Sequence, residues 1–287
     1  MLASLRAEFA KFYLRWNTYV GFVLLLALAG LLVWGAFEQG QASERLSKQA
    51  LQRELGDDFI IAGKIVSAVL VPRLILEARL PVYVFVASLV AMAAGGGIAT
   101  EYSSGTLRTL LTRPVRRAYV VLAKWVVGGV HAFSLTLFLG LAGLGLGYMF
   151  LGSGDLVWVD PRSGLQIVPE LQALRDLAAA FALQGLAMIA VASIALCVSA
   201  AVSRGATAAG VTVSFLLISG MVGVIPLDAF EHIRPYLLTT QMARFEHIFD
   251  NQVNWTQIHG AILWVAGYAV VSLIGAIVIL SRREIRC

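Results

Sequence analysis

The chain has 287 residues, 59% of them hydrophobic and 14% charged, with a mean hydropathy of +0.81 and a formal net charge of +5. A soluble domain carries about 25% charged residues, so this composition excludes a soluble globular protein. Apolar residues come in continuous blocks rather than in short alternating segments, so the fold expected is an all-α integral membrane protein and not a barrel.

The first element in chain order is an N-terminal arm, residues 1–16. Leu2, Leu5, Phe9, Phe12 and Trp16 fall on one side of a helical wheel, with Glu8, Lys11 and Arg15 toward the other. This pattern predicts an amphipathic interfacial helix with its aromatics at headgroup level and its cations toward acidic lipid. The hydrophobic run that follows is too long, and the arm too elaborate, for a cleaved signal peptide.

About 20 apolar residues cross a bilayer as a helix. Six such spans are expected, at 18–37, 81–100, 120–150, 177–202, 206–227 and 260–280. The third and fourth exceed the need and should tilt or project. Residues 38–80 form a large first outward loop, whose charged part has helical spacing at Leu46, Ala50, Leu51 and Leu55, while Pro72 and Pro81 punctuate the rest. Segment 59–71, short and carrying Lys64, suits an interfacial or re-entrant element better than a seventh span. The second outward loop, 151–176, is Gly/Asp/Pro-rich and irregular at first. In the third, 228–259, the stripe of Leu237, Leu238, Met242, Phe245 and Phe249 predicts a helix resting on the outer interface. Within the third span Gly143 and Gly147 make a GxxxG pair, spacing that lets backbones approach closely.

Basic residues set the orientation. One side holds Arg6, Lys11, Arg15, Arg108, Arg113, Arg116, Arg117, Lys124, Arg204, Arg282, Arg283 and Arg286 against Glu8, Glu101 and Glu284, and the other holds the remaining 10 basic and 14 acidic residues. Both termini are therefore expected in the cytoplasm. The net charge is a topology signal rather than a nucleic-acid patch. Cys197, inside the fourth span, and Cys287, the last residue, make no disulfide framework.

Chemistry is sparse. The ionisable groups near the spans are Lys124 at the start of the third, His131 within it and His259 before the sixth, so the bundle shows no coupling site of its own. His131 reads as a hydrogen-bonded interfacial residue. A nucleotide-binding loop needs GxxxxGK[ST], yet Gly63-Lys64 precedes Ile65 and Asp58 occupies the first glycine position. Neither HExxH nor GxSxG occurs. No catalytic, metal or cofactor site is expected.

Between the second and third spans lies a wedge, residues 101–118, within the stretch EYSSGTLRTLLTRPVRRAYVVLAK. Glu101 to Thr112 reads as a short surface helix with Leu107, Leu110 and Leu111 on one apolar face, stopped by Pro114. Arg113, Arg116 and Arg117 lie at the membrane edge.

Here the chain resembles the membrane subunits of type-2 ABC exporters. Their Glu at the end of span two, Gly-Thr-Leu, Pro followed by a basic residue and span-opening Lys correspond to Glu101, Gly105, Thr106, Leu107, Arg113-Pro114, Arg117 and Lys124. The resemblance implies one permease domain, residues 1–287, in the inner membrane of a bacterium. It implies pairing with a second copy or close homologue and docking of a separate ATPase that binds the ATP and Mg. The coupling helix would comprise Glu101, Gly105, Thr106, Leu107, Arg108, Leu110, Leu111 and Arg113. Glu101 would hold it through Arg108 or backbone amides, and Arg116 and Arg117 would mainly serve insertion. The large first outward loop leaves room for an extracytoplasmic partner or lateral lipid access. Two other classes stay open, a self-powered secondary transporter and a non-transporting scaffold for an ATPase complex.

Overall fold

A computed structural model describes residues 2–55, 67–77, 79–106, 117–160, 164–249 and 253–283. Helix α1 (Leu2–Tyr13) is followed by α2 (Trp16–Leu55), α3 (Leu70–Glu77), α4 (Arg79–Ser103) and α5 (Arg117–Phe150). Strands β1 (Leu156–Asp160) and β2 (Gly164–Val168) precede α6 (Glu170–Ala201) and α7 (Gly205–Val224). Short helices α8 (Asp228–Glu231) and α9 (Leu238–Ala243), with 3-10 turns Arg234–Tyr236 and Arg244–Phe249, lead to α10 (Trp255–Arg282). Among the described residues six helices are long and apolar enough to cross a membrane: Trp16–Glu38, Val82–Ser103, Arg117–Phe150, Glu170–Ala201, Gly205–Val224 and Trp255–Arg282. The fold is therefore an all-α, multi-span membrane protein with one small hairpin.

The chain divides into two compact units, and α2, α5 and α6 each contribute to both. Unit one comprises Met1–Phe22, Arg79–Leu137 and Ala180–Cys287. Its core cluster joins Ile98 of α4, Val121 of α5, Leu196 and Ala200 of α6, and Ala276 and Leu280 of α10. Small residues let these helices close, because apolar side chains gain nothing by leaving lipid and packing must hold the bundle. A Cβ at Gly95 would meet the Ala209 nitrogen of α7 at 3.1 Å, and one at Gly205 would meet Gly96 Cα at 3.0 Å. Between α5 and α6, a Cβ at Gly185 would strike the Phe133 ring at 2.5 Å, and Trp125 Nε1 donates to Ser193 Oγ at 2.7 Å. Ser199 of α6, fully buried, accepts from the amides of Ile98 (3.2 Å) and Ala99 (2.9 Å) and donates to the Gly95 carbonyl at 2.6 Å.

At the end of α4 away from Glu101, the structure corrects the reading of 228–259. The apolar stripe faces the protein over much of its length. Leu238, Met242 and Phe245 are buried in unit one, with α9 packed against α7 and α10. Three short elements replace the single helix expected. Ser219 and Thr239 share a hydrogen bond of 2.8 Å, and the Tyr268 hydroxyl donates to the Tyr236 carbonyl at 2.9 Å.

Unit two comprises Val23–Ala78 and Phe138–Ala179. Its α5 segment carries the GxxxG pair, and both glycines face the 67–77 segment. A Cβ at Gly143 would meet Ile75 Cδ1 at 2.7 Å, and one at Gly147 would meet the Ala68 carbonyl oxygen at 2.7 Å. Loop 151–176 is more ordered than its composition predicts. Strands β1 and β2 pair antiparallel from Leu156↔Val168 to Asp160↔Gly164, and α6 begins at Glu170 rather than 177. Asp155 Oδ1 accepts from the Glu170 amide at 3.0 Å, which satisfies a free donor at that helix start.

The expected first outward loop is partly helix as well. Helix α2 continues unbroken from the first span to Leu55, and Pro72 and Pro81 sit in the first turns of α3 and α4, where proline costs no hydrogen bond. Of segment 59–71, residues 59–66 lie outside the described residues, while Ala68, Val69 and Val71 are buried in unit two.

Candidate functional site at the end of the second span

Helix α4 carries the second span straight into the predicted wedge. Glu101 to Ser103 form its last turn, so the start of the wedge belongs to the span and not to a separate surface helix. The chain then breaks at Gly105, whose φ of 72° is left-handed, and its amide donates to the Tyr102 carbonyl at 3.2 Å. Glycine in this conformation is the usual terminator of a helix, because a Cβ would be strained there. The hydroxyls of Ser104 and Thr106 both approach the Glu101 carbonyl, at 3.4 Å each, and bond one another at 2.9 Å.

The side chain of Glu101 leads elsewhere. Its Oε1 accepts from Lys124 Nζ at 2.8 Å and also from Lys11 of α1, while Lys124 reaches Glu8 Oε2 at 2.9 Å. Four charges thus alternate along one chain of contacts: Lys11, Glu101, Lys124, Glu8. The Lys124 and Glu101 side chains are only 4% and 7% exposed. An isolated ion so placed would carry a desolvation cost of several kcal/mol, and the alternation offsets much of it by giving each charge an opposite neighbour.

Glu8 and Lys11 of the arm pair with charges of the protein, Lys11 with its side chain still 39% exposed, and α1 stops at Tyr13, so that Trp16 opens α2. Of the arm's aromatics, Trp16 is 81% exposed, while Phe12 and Tyr13 turn inward with Phe22 of the first span. Phe12, Tyr13 and Phe22 present ring edges around His131, at centroid separations of 4.9, 6.1 and 5.6 Å. His131 is 2% exposed and its Nδ1 has no hydrogen-bond partner among the described residues. It is a buried ring in an aromatic niche, not an interfacial hydrogen-bonding residue.

Two arginines fasten the helix ends around this site. Arg117 Nη1 donates to the carbonyls of Leu280 (3.0 Å), Ser281 (3.1 Å) and Arg283 (3.2 Å) at the end of α10. Arg283 Nη1 in turn donates to the carbonyls of Ala200 (2.8 Å) and Val202 (3.1 Å) at the end of α6. Terminal helix carbonyls lack intrahelical partners and carry partial negative charge, so a guanidinium there is doubly favourable. Arg117 therefore ties the start of α5 to the end of α10.

The profile of the ABC-2 family transporter proteins matches residues 2–284, nearly the whole chain. The chain belongs to that family. It is also similar to the Bacillus subtilis (strain 168) protein named uncharacterized protein YhcI, 23% identical over 200 residues, 67% of this chain. That alignment spans 62% of the relative's length.

In this ABC-2 family chain, three of the eight residues expected to form the coupling segment can be placed: Glu101, Gly105 and Thr106, which the structure brings together. Leu107, Arg108, Leu110, Leu111 and Arg113 lie outside the described residues. Glu101 is held by Lys11 and Lys124; of the partners expected for it, Arg108 lies outside the described residues, and its Oε2 has no hydrogen-bond partner among the described residues. Glu8, Lys11, Arg117 and Arg283 escaped the sequence reading as site residues. Their signal was the spacing of opposite charges at span ends, which the positive-inside rule had absorbed. No cluster suited to a metal ion occurs among the described residues.

Proposed function

We propose that this chain is the membrane-spanning permease subunit of an ABC exporter. It sits in the cytoplasmic membrane of a bacterium with both termini inside, pairs with a second copy or close homologue, and is driven by a separate ATPase seated on residues 101–113. ATP and Mg bind to that partner. The carrying observation is the family match from residue 2 to residue 284. The arrangement at the end of α4 supports it: a span ends at a glycine break, and its last turn is clamped by buried charge. A push on the following segment then has a rigid element to act on.

Co-expression with an ABC ATPase from the same operon, purification and reconstitution test the reading. Expected are co-purification and ATP-dependent substrate movement that Leu107→Asp with Leu110→Asp abolishes while insertion stays normal. A double variant that still binds the ATPase and transports normally overturns the coupling role of 101–113. ATPase binding without any transport favours a scaffold instead.

A further inference from the structure

We propose that the crevice between α4 and α7, where α9 covers it, binds one acyl chain of a membrane glycerolipid, with the Thr240 hydroxyl donating to the ester carbonyl at the head of that chain.

The two spans do not part evenly. Toward Glu101 they touch almost backbone to backbone. A methyl added at Gly95 would stand 3.1 Å from the Ala209 nitrogen, and one at Gly205 would stand 3.0 Å from Gly96 Cα. Toward their other ends they separate around a cavity of about 200 Å³, walled by Tyr83 and Ala87 of α4, Leu216 and Gly223 of α7, and Thr240 and Met242 of α9. A helix rises about 1.5 Å per residue, so Ala87 and Leu216 lie roughly 8 Å and 12 Å in from the span ends at Val82 and Val224. A methyl added at Gly223 would stand 3.6 Å from the Thr240 hydroxyl oxygen, which puts that hydroxyl at the span end. Deeper in, Ser219 and Thr239 satisfy one another. The cavity thus has a hydroxyl at its head and hydrocarbon at its floor, the order in which a glycerolipid presents ester and chain.

Three observations select this occupant. No charged side chain lines the cavity among the described residues, so nothing there would hold an ionic solute. An apolar cavity of about 150 Å³ takes a benzene ring, whereas pockets that enclose a whole small molecule run to about 300–1,000 Å³. This one has room for a stretch of chain whose remainder stays outside. Val224 both lines the cavity and is exposed on the flank of a spanning helix, so the mouth opens sideways, where the solvent is lipid. Thr240 makes no side-chain hydrogen bond among the described residues, which leaves its hydroxyl for the ligand.

The test uses the full-length protein in phosphatidylethanolamine vesicles containing a rising fraction of an analogue with a diazirine near the methyl end of one acyl chain. After irradiation and digestion, label on the peptides covering 83–87, 216–224 and 239–243 is expected to saturate. Label on the exposed face of α10, at Leu263 and Val271, should instead rise in proportion to the analogue. Gly223→Leu, which fills the cavity beside Thr240, is expected to lower the cavity label about tenfold and leave the α10 label unchanged. Thr240→Val should lower it about threefold for an ester-linked chain and not at all for an ether-linked one, which has no carbonyl to accept the bond. Proportional labelling at both places overturns the proposal, since ordinary boundary lipid would then explain it. So does an absence of label on the three peptides, or a cross-link through them to a second copy of the chain. Equal losses of the ester and ether analogues in Thr240→Val overturn the ester contact. The saturation measurement needs no variant, so a Gly223→Leu that fails to insert leaves it decisive.

Discussion

Arg283 lays its guanidinium 3.9 Å over the ring of Tyr102, the residue beside Glu101, while its Nη1 reaches the last carbonyls of α6. One side chain at the end of the sixth span thus bears on the ends of the second and fourth. Cation–π contacts contribute roughly 0.5–1 kcal/mol at exposed sites, and hydrogen bonds to a charged group roughly 1.5–3 kcal/mol. Because Arg283 is only half-buried, the lower part of their sum applies. Arg283→Gln is expected to cost about 1–2 kcal/mol, read as a lowered thermal midpoint of the purified protein, with Arg283→Lys intermediate. An unchanged midpoint in both variants would show these contacts to be idle.

Glycine substitutions should sort by what each new methyl meets. At Gly147 the obstacle is the Ala68 carbonyl oxygen, part of the backbone, whereas at Gly143 it is the far end of the Ile75 side chain. Gly147→Ala should therefore cost about 1–3 kcal/mol and Gly143→Ala less. At Gly35 nothing lies within 4 Å, and an alanine there should be neutral or stabilising by up to about 1 kcal/mol. Thermal midpoints of the three variants check the order, and a Gly35→Ala that falls as far as Gly147→Ala contradicts it.

Gly105 is a different case, since open space surrounds it and only its left-handed backbone resists a side chain. Gly105→Ala should cost about 1–2 kcal/mol, with Gly105→Asn milder because asparagine tolerates that region. The loss is local, so hydrogen exchange is the suitable measurement. Faster exchange is expected for the amides of Ser104 and Gly105, whose acceptors are the Thr100 and Tyr102 carbonyls. Identical exchange in wild type and Gly105→Ala would mean that the turn has another fold available.

The bond from Trp125 to Ser193 joins two spans inside the bundle, where hydrogen bonds between membrane helices average about 0.6 kcal/mol and reach about 1.7. Trp125→Phe and Ser193→Ala should each destabilise by amounts in that range plus any packing loss. Together they should be less than additive, since both remove the same bond. Strict additivity in unfolding measurements would assign their effects to packing alone.

The spans were legible because lipid imposes both a length and a composition, and six apolar blocks met both. Their ends were not, since hydropathy reports the bilayer and not the helix. Helix α6 starts at Glu170, before the apolar run, and α2 runs past it to Leu55. The hairpin at 156–168 was hidden by strands of five residues each among turn-forming glycines and aspartates. At the candidate site, Glu101 and Gly105 stood out through their motif. Lys11 and Glu8 did not, because a charge on a helix beside a membrane has two possible counter-charges, acidic lipid or a buried ion. Only the fold brings residues 11 and 101 together. The same holds for the stripe of Leu238, Met242 and Phe245, whose spacing fits burial in protein as well as burial in lipid.

Ser199 gives the second span a property that span could not have alone. Gly95, Gly96 and Gly97 leave a stretch of α4 without side chains, and beside the helix's own ladder a hydroxyl on α6 bonds Gly95, Ile98 and Ala99 there. The stretch is thereby pinned from outside: where α4 has no side chains to lock against its neighbours, a different helix reaches to its backbone. What holds this part of the second span sideways is then written in the fourth span, not in the second.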